Sequence, residues 1–349
     1  MQLGIDTFVD TTLSEAEAEV RGDAGRIADL LEEAEVAERS GLDVYAIGEH
    51  HRPDFLASSP AVLLAAVAAR TKTIRLASAV SVLSSDDPVR LFQQFATLDL
   101  ISDGRAEIIV GRGSFIESYP LFGFDLDHYD SLFTEKLELL LKIRAETHVT
   151  WKGRHRSALT GQGVYPRPVQ NPLPVRIGVG GTPQSFVRAG TLGLPLVIAI
   201  IGGEPHRFRP LVDLYREAGR RAGHAPEVLE VGVHVHGHIA DTDAEASERY
   251  FPVHARGFNR IGKERGWPPV TRAQFDAQLE PLGALHIGSP ETVAAKIVRM
   301  DKALGGISRV TMIQGSGGLG HAVALNSIEL LGTKVKPLVE AAVGSKTAA

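Results

Sequence analysis

The chain has no cysteine, and this absence excludes disulfide bonds, thiolate metal sites and cysteine nucleophiles. It also has no dense basic block, because 37 lysines and arginines are spread against 42 aspartates and glutamates. We therefore expect neither a nucleic acid nor an anionic membrane as its partner. The longest apolar run, residues 194–201, has the length of a strand and falls far below the roughly 18 residues of a membrane-spanning helix.

The features of a secreted protein are also missing at the N-terminus. Residues 3–8 (LGIDTF) begin a strand at once, without the basic and apolar segments of a signal peptide. Together with the lack of cysteine, this predicts a soluble protein in a reducing cytoplasm. What the 349 residues do contain is an apolar fraction of 44%, which is ample for a large core.

Short apolar runs of strand length alternate with segments of helical period along almost the whole chain. The predicted strands are residues 3–8, 42–47, 74–83, 106–111, 175–179, 196–201, 231–240 and 308–314. The predicted helices are residues 24–40, 59–70, 88–101, 130–145, 184–192, 208–222, 291–304 and 322–343. Because this alternation continues without a break in composition, it predicts an α/β fold, a single (β/α)8 TIM barrel.

The predicted barrel is one domain, residues 1–343, followed by a short C-terminal tail, residues 344–349. Longer segments follow predicted strands 4 and 7, and we expect these insertions to form lids or a dimer surface. Residues 151–170 are polar with several glycines and prolines, which predicts a hairpin or surface loop. Residues 241–285 show no clear period and are predicted to be irregular.

Two histidines and a carboxylate follow the second predicted strand, in residues 48–53 (GEHHRP). Barrel enzymes build their active sites at the C-terminal ends of strands, and an ordinary imidazole titrates near neutral pH. Glu49, His50 and His51 are therefore candidate catalytic residues for proton transfer. The same residues also fit a loop in which one histidine caps a backbone group and the other is solvated.

Two glycine-rich turns at strand ends are candidate anion sites. After predicted strand 5, Gly180 and Gly181 lead to Thr182 and Ser185 at a helix start, where N–H groups and hydroxyls bind phosphate. The same turn also fits a plain helix cap. After predicted strand 4, Arg112 lies between two glycines, where its guanidinium reaches a phosphate or, alternatively, lies in a surface turn.

Residues 315–320 (GSGGLG) spell G-x-G-x-x-G after the last predicted strand. Only a helix and the tail follow, so the βαβ unit of a dinucleotide-binding fold is missing. On a barrel rim, Gly317 and Gly318 would instead let a flat ring or a phosphate approach the backbone. Residues 78–82 (SAVSV) on predicted strand 3 are small enough for a ring to pack on them, although plain core would look the same.

Three histidines, His234, His236 and His238, alternate along predicted strand 7 and therefore share one face. This spacing is compatible with zinc, but no acidic residue is obviously placed to complete a site. The same face also suits the lining of the barrel or of a pocket, and we predict no metal. Glu107, near the start of predicted strand 4, is either a buried partner of an arginine or an outward-facing charge.

Taken together, several segments resemble the bacterial luciferase-like family of flavin-dependent oxidoreductases. These segments are residues 41–43 with 48–51, 88–90, 98–99 with 102–105, 111–113, and 180–185 with 188–189 and 192–195. Residues 117–123 and 327–332 resemble an uncharacterised branch of that family. The resemblance covers most of the chain, and it implies a TIM barrel that binds FMN at its C-terminal face.

The resemblance also implies roles for individual residues. It places the flavin phosphate near Arg112 and the isoalloxazine near Ala79 and Val80, where relatives often carry a non-prolyl cis peptide. His50 matches the proposed acid/base position of the family. Gly111 stands where luciferase has a reactive cysteine, which argues against light emission from long-chain aldehydes. With the glycine-rich turns, the predicted cofactor-binding residues are Ala79, Val80, Arg112, Gly180, Gly181, Thr182, Ser185, Gly317 and Gly318.

The implied function is an FMN-dependent oxidoreductase, a monooxygenase that uses reduced flavin and dioxygen on a small organic substrate. FMN would be reduced by NAD(P)H directly or through a separate flavin reductase, and the family suggests a homodimer. Two alternatives keep a flavin-type site: hydride transfer with the deazaflavin F420, and a non-catalytic flavin-binding protein. A third alternative is a metal-dependent barrel hydrolase that uses His50, His51 and the histidines of predicted strand 7.

Overall fold

The computed structural model of the protein describes residues 1–11, 15–314 and 318–344, and for residues 15–21 it describes the backbone only. The strands are β1 (Gln2–Thr7), β2 (Val44–Ile47), β3 (Arg75–Ser78), β4 (Ser81–Val82), β5 (Ala106–Gly111), β6 (His148–Trp151), β7 (Leu159–Gly163), β8 (Val175–Val179), β9 (Leu196–Ala199), β10 (Val231–Ile239), β11 (His286–Gly288) and β12 (Arg309–Ile313). Parallel pairing runs in the order β1, β2, β3, β5, β8, β9, β10 and β12, and β12 pairs again with β1. The eight strands therefore close into the predicted TIM barrel.

Helices surround this barrel. They are α1 (Glu15–Arg39), α2 (Pro60–Arg70), α3 (Pro88–Ile101), α4 (Ser118–Leu121), α5 (Tyr129–Ala145), α6 (Pro183–Thr191), α7 (Arg209–Arg221), α8 (Asp243–Arg265), α9 (Arg272–Leu279), α10 (Pro290–Leu304), α11 (His321–Leu330) and α12 (Lys336–Gly344). A π-helical turn, Leu331–Val335, joins α11 to α12. None of the described helices is long and apolar enough to span a membrane.

Burial on both faces explains why the barrel strands are so rich in apolar residues. The outward faces pack against the helices and form the main core, in which Tyr45, Phe92 and Phe186 are fully buried. The inner faces carry smaller side chains, such as Ala46 and Ala77, so that the barrel interior is filled. This packing fixes the C-terminal strand ends, where the candidate residues lie, in one layer.

A buried charge cluster occupies the opposite end of the barrel interior, at the N-terminal ends of the strands. Glu107 is 2% exposed and lies between two arginines, bonded to Arg309 (Nη2 at 3.1 Å) and to Arg176 (Nε at 3.2 Å). Burial alone would raise the pKa of Glu107, but the two guanidinium groups lower it to about 2. Of the two alternatives that the sequence left open for Glu107, the structure therefore has the buried partner of arginines.

The predicted strand 74–83 is divided. It forms β3 and β4, and between them the Ala79–Val80 peptide bond is cis. This non-prolyl cis bond lies where the family resemblance implied one. Residues 151–170 do contain a hairpin, since β6 and β7 pair antiparallel, although its first strand starts earlier, at His148.

The prediction that residues 241–285 are irregular was wrong, because the chain forms α8 and α9 there. The error has a physical cause: Tyr250 is the one large core side chain on the buried face of α8, whose other buried residues are Ala246, Ser247, His254 and Gly262. Pro252 lies inside the helix and weakened the helical pattern further. Thr242 and the capping box of Thr271 mark the two helix starts, so the polar signals were present.

Two helix boundaries also differ from the prediction. The first helix begins at Glu15 instead of residue 24, and Gly22 breaks its helical dihedrals with φ of 56°. The C-terminal helix divides into α11 and α12, and α12 includes Gly344, the first residue of the predicted tail. Residues 345–349 of that tail lie outside the described residues.

Candidate active site

Glu49 organises the loop that follows β2. Its Oε1 contacts His51 Nε2 at 2.8 Å, and its Oε2 accepts a hydrogen bond of 2.8 Å from the Val82 backbone N–H. The Glu49 backbone N–H donates to the Val80 carbonyl at 3.0 Å. Glu49 therefore binds both sides of the turn between β3 and β4, and it is a positioning group for Ala79 and Val80.

Gly48 allows this loop to approach the barrel closely. A Cβ atom there would lie 2.4 Å from the Phe8 ring and 2.5 Å from the Ala79 carbonyl oxygen. No side chain fits at such distances, which explains the glycine before Glu49.

His50 lies among aromatic rings. Its ring centroid is 4.5 Å from that of Phe8, 4.6 Å from that of Phe55 and 4.9 Å from that of Phe115. Burial, with smaller contributions from nearby positive charges, lowers the pKa of His50 from 6.5 to about 3. His50 is therefore a neutral imidazole at pH 7, and the ordinary histidine pKa used in the sequence argument does not apply to it.

A second histidine at the barrel mouth has a carboxylate partner. His234 Nδ1 and Asp6 Oδ2 are 2.7 Å apart, and Asp6 is fully buried at the C-terminal half of β1. His234 also lies near Phe8, with ring centroids 6.1 Å apart. Asp6 is not among the residues predicted from the sequence. The one sequence signal for it is its position two residues after Gly4, which puts its side chain on the inward face of β1.

The other two histidines of β10, the predicted strand 7, face α8. His236 Nδ1 is 3.4 Å from the Tyr250 hydroxyl, and His238 stacks on the Tyr250 ring with centroids 5.7 Å apart. Burial lowers the pKa of His236 to about 3 and those of His238 and His254 to about 4. Among the described residues, no group of three or more histidine or acidic side chains could hold a metal ion.

The predicted anion residues Arg112 and Ser185 meet. Arg112 Nη2 donates to Ser185 Oγ at 3.2 Å, and its Nη1 contacts Asp130 Oδ1 at 2.5 Å. The guanidinium carbon lies 4.9 Å from the centre of the Tyr129 ring, which supports its orientation. This arrangement places a positive charge and a hydroxyl at the first turn of α6.

The N-terminus of α6 is open. Thr182 is its N-cap residue, and in the described structure its side chain makes no capping hydrogen bond. Gly180 and Gly181 are exposed, and a Cβ at either position would meet nothing within 4 Å. Pro183 has no backbone N–H and the Ser185 N–H donates to the Thr182 carbonyl at 3.0 Å, so an anion would approach the N–H groups of the exposed glycine turn.

The Val80 side chain packs against β5 and β8, the two strands that lead to the candidate anion residues. Cβ atoms built on Gly111 and Gly178 would each lie 2.6 Å from a Val80 methyl group. Glycines on β5 and β8 thus make room for the Val80 side chain inside the barrel. The predicted Gly317 lies outside the described residues, whereas Gly318 is described and has φ of 84°.

Arg52 joins the two predicted insertions at the rim of the mouth. It forms an ion pair with Glu117 of the segment after β5, and its Nη2 lies 2.6 Å from Glu264 Oε1 of α8. It also contacts Asp54 at 3.2 Å and lies over the Phe115 ring. From the sequence, this arginine is only one of residues 48–53, because Glu117 and Glu264 are distant from it in the chain.

Curated relatives match part of this chain. An uncharacterised protein of Sinorhizobium fredii is 32% identical over 194 residues, covering 55% of this chain and 56% of that protein. The N-acetyl-S-alkylcysteine monooxygenase of Bacillus subtilis is 31% identical over 224 residues, covering 61% of this chain and 63% of that protein. The chain thus spans little more than half the length of these curated relatives.

Solved structures share the whole fold. A monooxygenase from Streptomyces bottropensis has a TM-score of 0.83 at 24% identity, covering 97% of this chain and 99% of its own. The oxygenating constituent of 3,6-diketocamphane monooxygenase from Pseudomonas putida, in complex with FMN, has a TM-score of 0.77 at 21% identity, with 97% and 98% covered. An F420-dependent secondary alcohol dehydrogenase has a TM-score of 0.76 at 18% identity, with the same coverage.

At these identities the solved structures establish the barrel fold, and the family follows from a different comparison. The family profile described as luciferase-like monooxygenase matches residues 6–306. This match begins within β1 and ends after α10, and it includes every barrel strand except β12. The chain therefore belongs to the luciferase-like monooxygenase family.

Proposed function

We propose that this protein binds FMN at the C-terminal mouth of its barrel and uses reduced FMN and dioxygen to oxidise a small organic substrate. The observation that carries the proposal is the contact of Arg112 with Ser185 at the open N-terminus of α6. A phosphate monoester would fit there, because the guanidinium, the hydroxyl and the N–H groups of the glycine turn can all donate hydrogen bonds.

The rest of the mouth fits a flat ring system. Ala79 and Val80 form a small apolar surface inside the barrel, held in place by the hydrogen bonds of Glu49. Gly180 and Gly181 leave space between this surface and the phosphate end. The phosphate would lie at Arg112, Ser185 and the start of α6, with Thr182 at its edge and the ring towards Ala79 and Val80.

When bound, FMN supplies the redox chemistry between a reductant, dioxygen and the substrate. The protein contributes the aromatic side chains of Phe8, Phe55 and Phe115, which surround His50 and would limit the access of water to the bound ring. His50 stands among these rings as a neutral imidazole, so it can donate or accept one hydrogen bond without carrying a charge. Glu49 and His51 hold the loop that positions it.

Hydride transfer with F420 is the second candidate function. F420-dependent enzymes are among the proteins similar to this chain, including a glucose-6-phosphate dehydrogenase of Amycolatopsis mediterranei that is 31% identical over 166 residues. The Asp130 carboxylate beside Arg112 favours FMN, because F420 carries a longer and more anionic extension beyond its phosphate. The two cofactors therefore differ in the charge that this end of the site must accept.

Parallel titrations with FMN, riboflavin and F420, followed by flavin fluorescence, test the proposal. We expect FMN to bind, riboflavin to bind at least about 100-fold more weakly because it lacks the phosphate, and F420 to bind weakly. Addition of NADPH and a flavin reductase should then produce oxygen uptake. Equal affinity for FMN and riboflavin would contradict the phosphate site, and preference for F420 would favour hydride transfer.

We also propose a single domain over residues 1–343 and a homodimer formed through α2 and α3. The support is a set of exposed apolar side chains on these neighbouring helices, Val62, Leu100 and Ile101, which are 66%, 49% and 53% exposed. Light scattering of the wild type and of Leu100→Glu tests this interface. NAD(P)H, a separate reductase and a cytoplasmic location stay predictions from the sequence.

A further inference from the structure

A buried carboxylate fixes the orientation of His234. Asp6 Oδ2 is 2.7 Å from His234 Nδ1, and the two residues come from β1 and β10, which are separated in the barrel by β12. Asp6 is fully buried, and its second oxygen, Oδ1, has no hydrogen-bond partner among the described residues. The contact with His234 is therefore the principal polar contact of this carboxylate side chain.

The hydrogen bond determines the tautomer of His234. A carboxylate oxygen accepts, so Nδ1 must carry the proton and Nε2 is left as the acceptor nitrogen. The His234 side chain is 11% exposed, which leaves the ring accessible from the barrel mouth while Asp6 remains sealed. An imidazole held in this way by a buried carboxylate can accept a proton at Nε2, because the carboxylate stabilises the resulting cation.

His234 and His50 both lie beside Phe8. The Phe8 ring centroid lies 4.5 Å from that of His50 and 6.1 Å from that of His234. Titratable side chains near His234 include Asp6 on β1, His50 in the loop after β2 and His236 on its own strand. Asp6 is the acid among these three.

We propose that His234 is a second proton-transfer group of the mouth and that Asp6 is its positioning residue. This proposal rests on the proposed function and deepens it. His234 Nε2 takes up one proton from the reacting molecule, while Nδ1–H stays bonded to Asp6. The imidazolium then returns the proton from Nε2 to the product or to water, so that the dyad ends each cycle unchanged.

The first test uses the protein without cofactor. Long-range ¹H–¹⁵N correlation spectra of the histidine rings identify each tautomer, and His234→Gln assigns the signal. We expect the Nδ1–H tautomer in the wild type. In Asp6→Asn, which keeps the volume of the side chain, we expect this tautomer to lose its dominance. An Nε2–H tautomer in the wild type would overturn the proposal.

The second test measures chemistry without an organic substrate. Reduced FMN bound to the protein is mixed with dioxygen, and the return of oxidised FMN absorbance is followed from pH 5.5 to 9. We expect His234→Ala to slow this step at least about 100-fold and to change its pH profile. Added imidazole should restore the rate of His234→Ala but not of His234→Gln, in which the side chain fills the space.

Binding of FMN separates the two possible failures. We expect FMN affinity in His234→Ala and Asp6→Asn to stay within about twofold of the wild type, because neither residue contacts Arg112 or Ser185. If the wild type does not bind FMN, the proposed function fails and this proposal falls with it. If FMN binds but both variants keep the wild-type rate and pH profile, only the role of His234 is overturned.

Discussion

The two ends of the barrel interior use charge in opposite ways. At the N-terminal ends of the strands, Glu107 is enclosed between the guanidinium groups of Arg309 and Arg176, and Arg176 also pairs with Glu230, so that two acids face two arginines. At the C-terminal ends, Arg112 presents its guanidinium beside exposed glycines. The same strands thus carry a closed cluster at one end and an open one at the other.

This difference explains how one barrel divides stability from chemistry. A buried charge must keep its partner, because an unpaired charge inside a protein is costly. An accessible guanidinium at a helix N-terminus can instead exchange its present contacts for those of an anionic ligand. Substitutions at the closed end should therefore change the free energy of unfolding, whereas substitutions at the open end should change ligand affinity.

The largest expected effect is that of Glu107→Ala. Removal of the carboxylate leaves Arg309 buried without its acid and Arg176 with only the 40% exposed Glu230, which should reduce the free energy of unfolding by about 3–5 kcal/mol. Urea denaturation followed by circular dichroism measures this change. As a matched control, Glu245→Ala on α8 removes a surface pair with Arg249 and should cost only about 0.3–0.5 kcal/mol. A similar loss in both variants would show that the closed cluster has no special role.

Acid should protonate the buried histidines before it protonates Glu107 at the closed end. The folded-state pKa values of His50 and His236, about 3, lie below the unfolded value of 6.5, so stability is complete above pH 6.5 and is lost as pH falls towards 3. For Glu107, with a pKa of about 2 against 4.5, the loss begins only below pH 4.5. Each histidine should contribute a slope of up to about 1.4 kcal/mol per pH unit.

Unfolding experiments at pH 7, 6, 5 and 4 measure that slope. The variant His254→Phe should reduce it, because one histidine with a pKa lowered to about 4 is removed while the aromatic packing with Phe258 is kept. A free energy of unfolding that stays constant between pH 7 and 5 would be inconsistent with neutral buried histidines in the folded state.

A smaller effect is expected from Ser185→Ala, and it concerns affinity. The lost hydroxyl hydrogen bond to a phosphate should cost about 1.5–3 kcal/mol, which is roughly a 10- to 150-fold increase in the Kd of FMN. The melting temperature should change little, because Arg112 still contacts Asp130. Ser157→Ala in the hairpin loop is the control, and equal affinities for FMN in the two variants would argue against the phosphate position.

The smallest effect should come from Arg52→Gln at the rim. Its partners Glu264 and Glu117 are 50% and 33% exposed, and Asp54 keeps its ion pair with Arg260, so loss of these contacts should cost only about 1 kcal/mol. Hydrogen exchange should nevertheless become faster in α4 and in the last turns of α8, since Arg52 connects these insertions. Unchanged exchange in both segments would show that the two insertions do not depend on this arginine.

The barrel could be predicted because its strands are continuous apolar runs at regular spacing. Arg112 and Ser185 could also be paired in advance, since each follows a neighbouring strand of a parallel sheet. The prediction failed for α8, whose buried face uses serine, histidine and glycine. It also missed the Asp6–His234 contact, because 228 residues separate the partners and no local pattern connects them.

The most direct test compares one variant at each end of the barrel. The Kd of FMN and the free energy of unfolding are both measured for Arg112→Ala and for Glu107→Gln. We predict that Arg112→Ala weakens FMN binding at least about 100-fold and alters stability by less than about 1 kcal/mol. Glu107→Gln should lose about 3 kcal/mol of stability and keep the wild-type Kd within about threefold. Binding of FMN to Arg112→Ala with wild-type affinity would contradict the account.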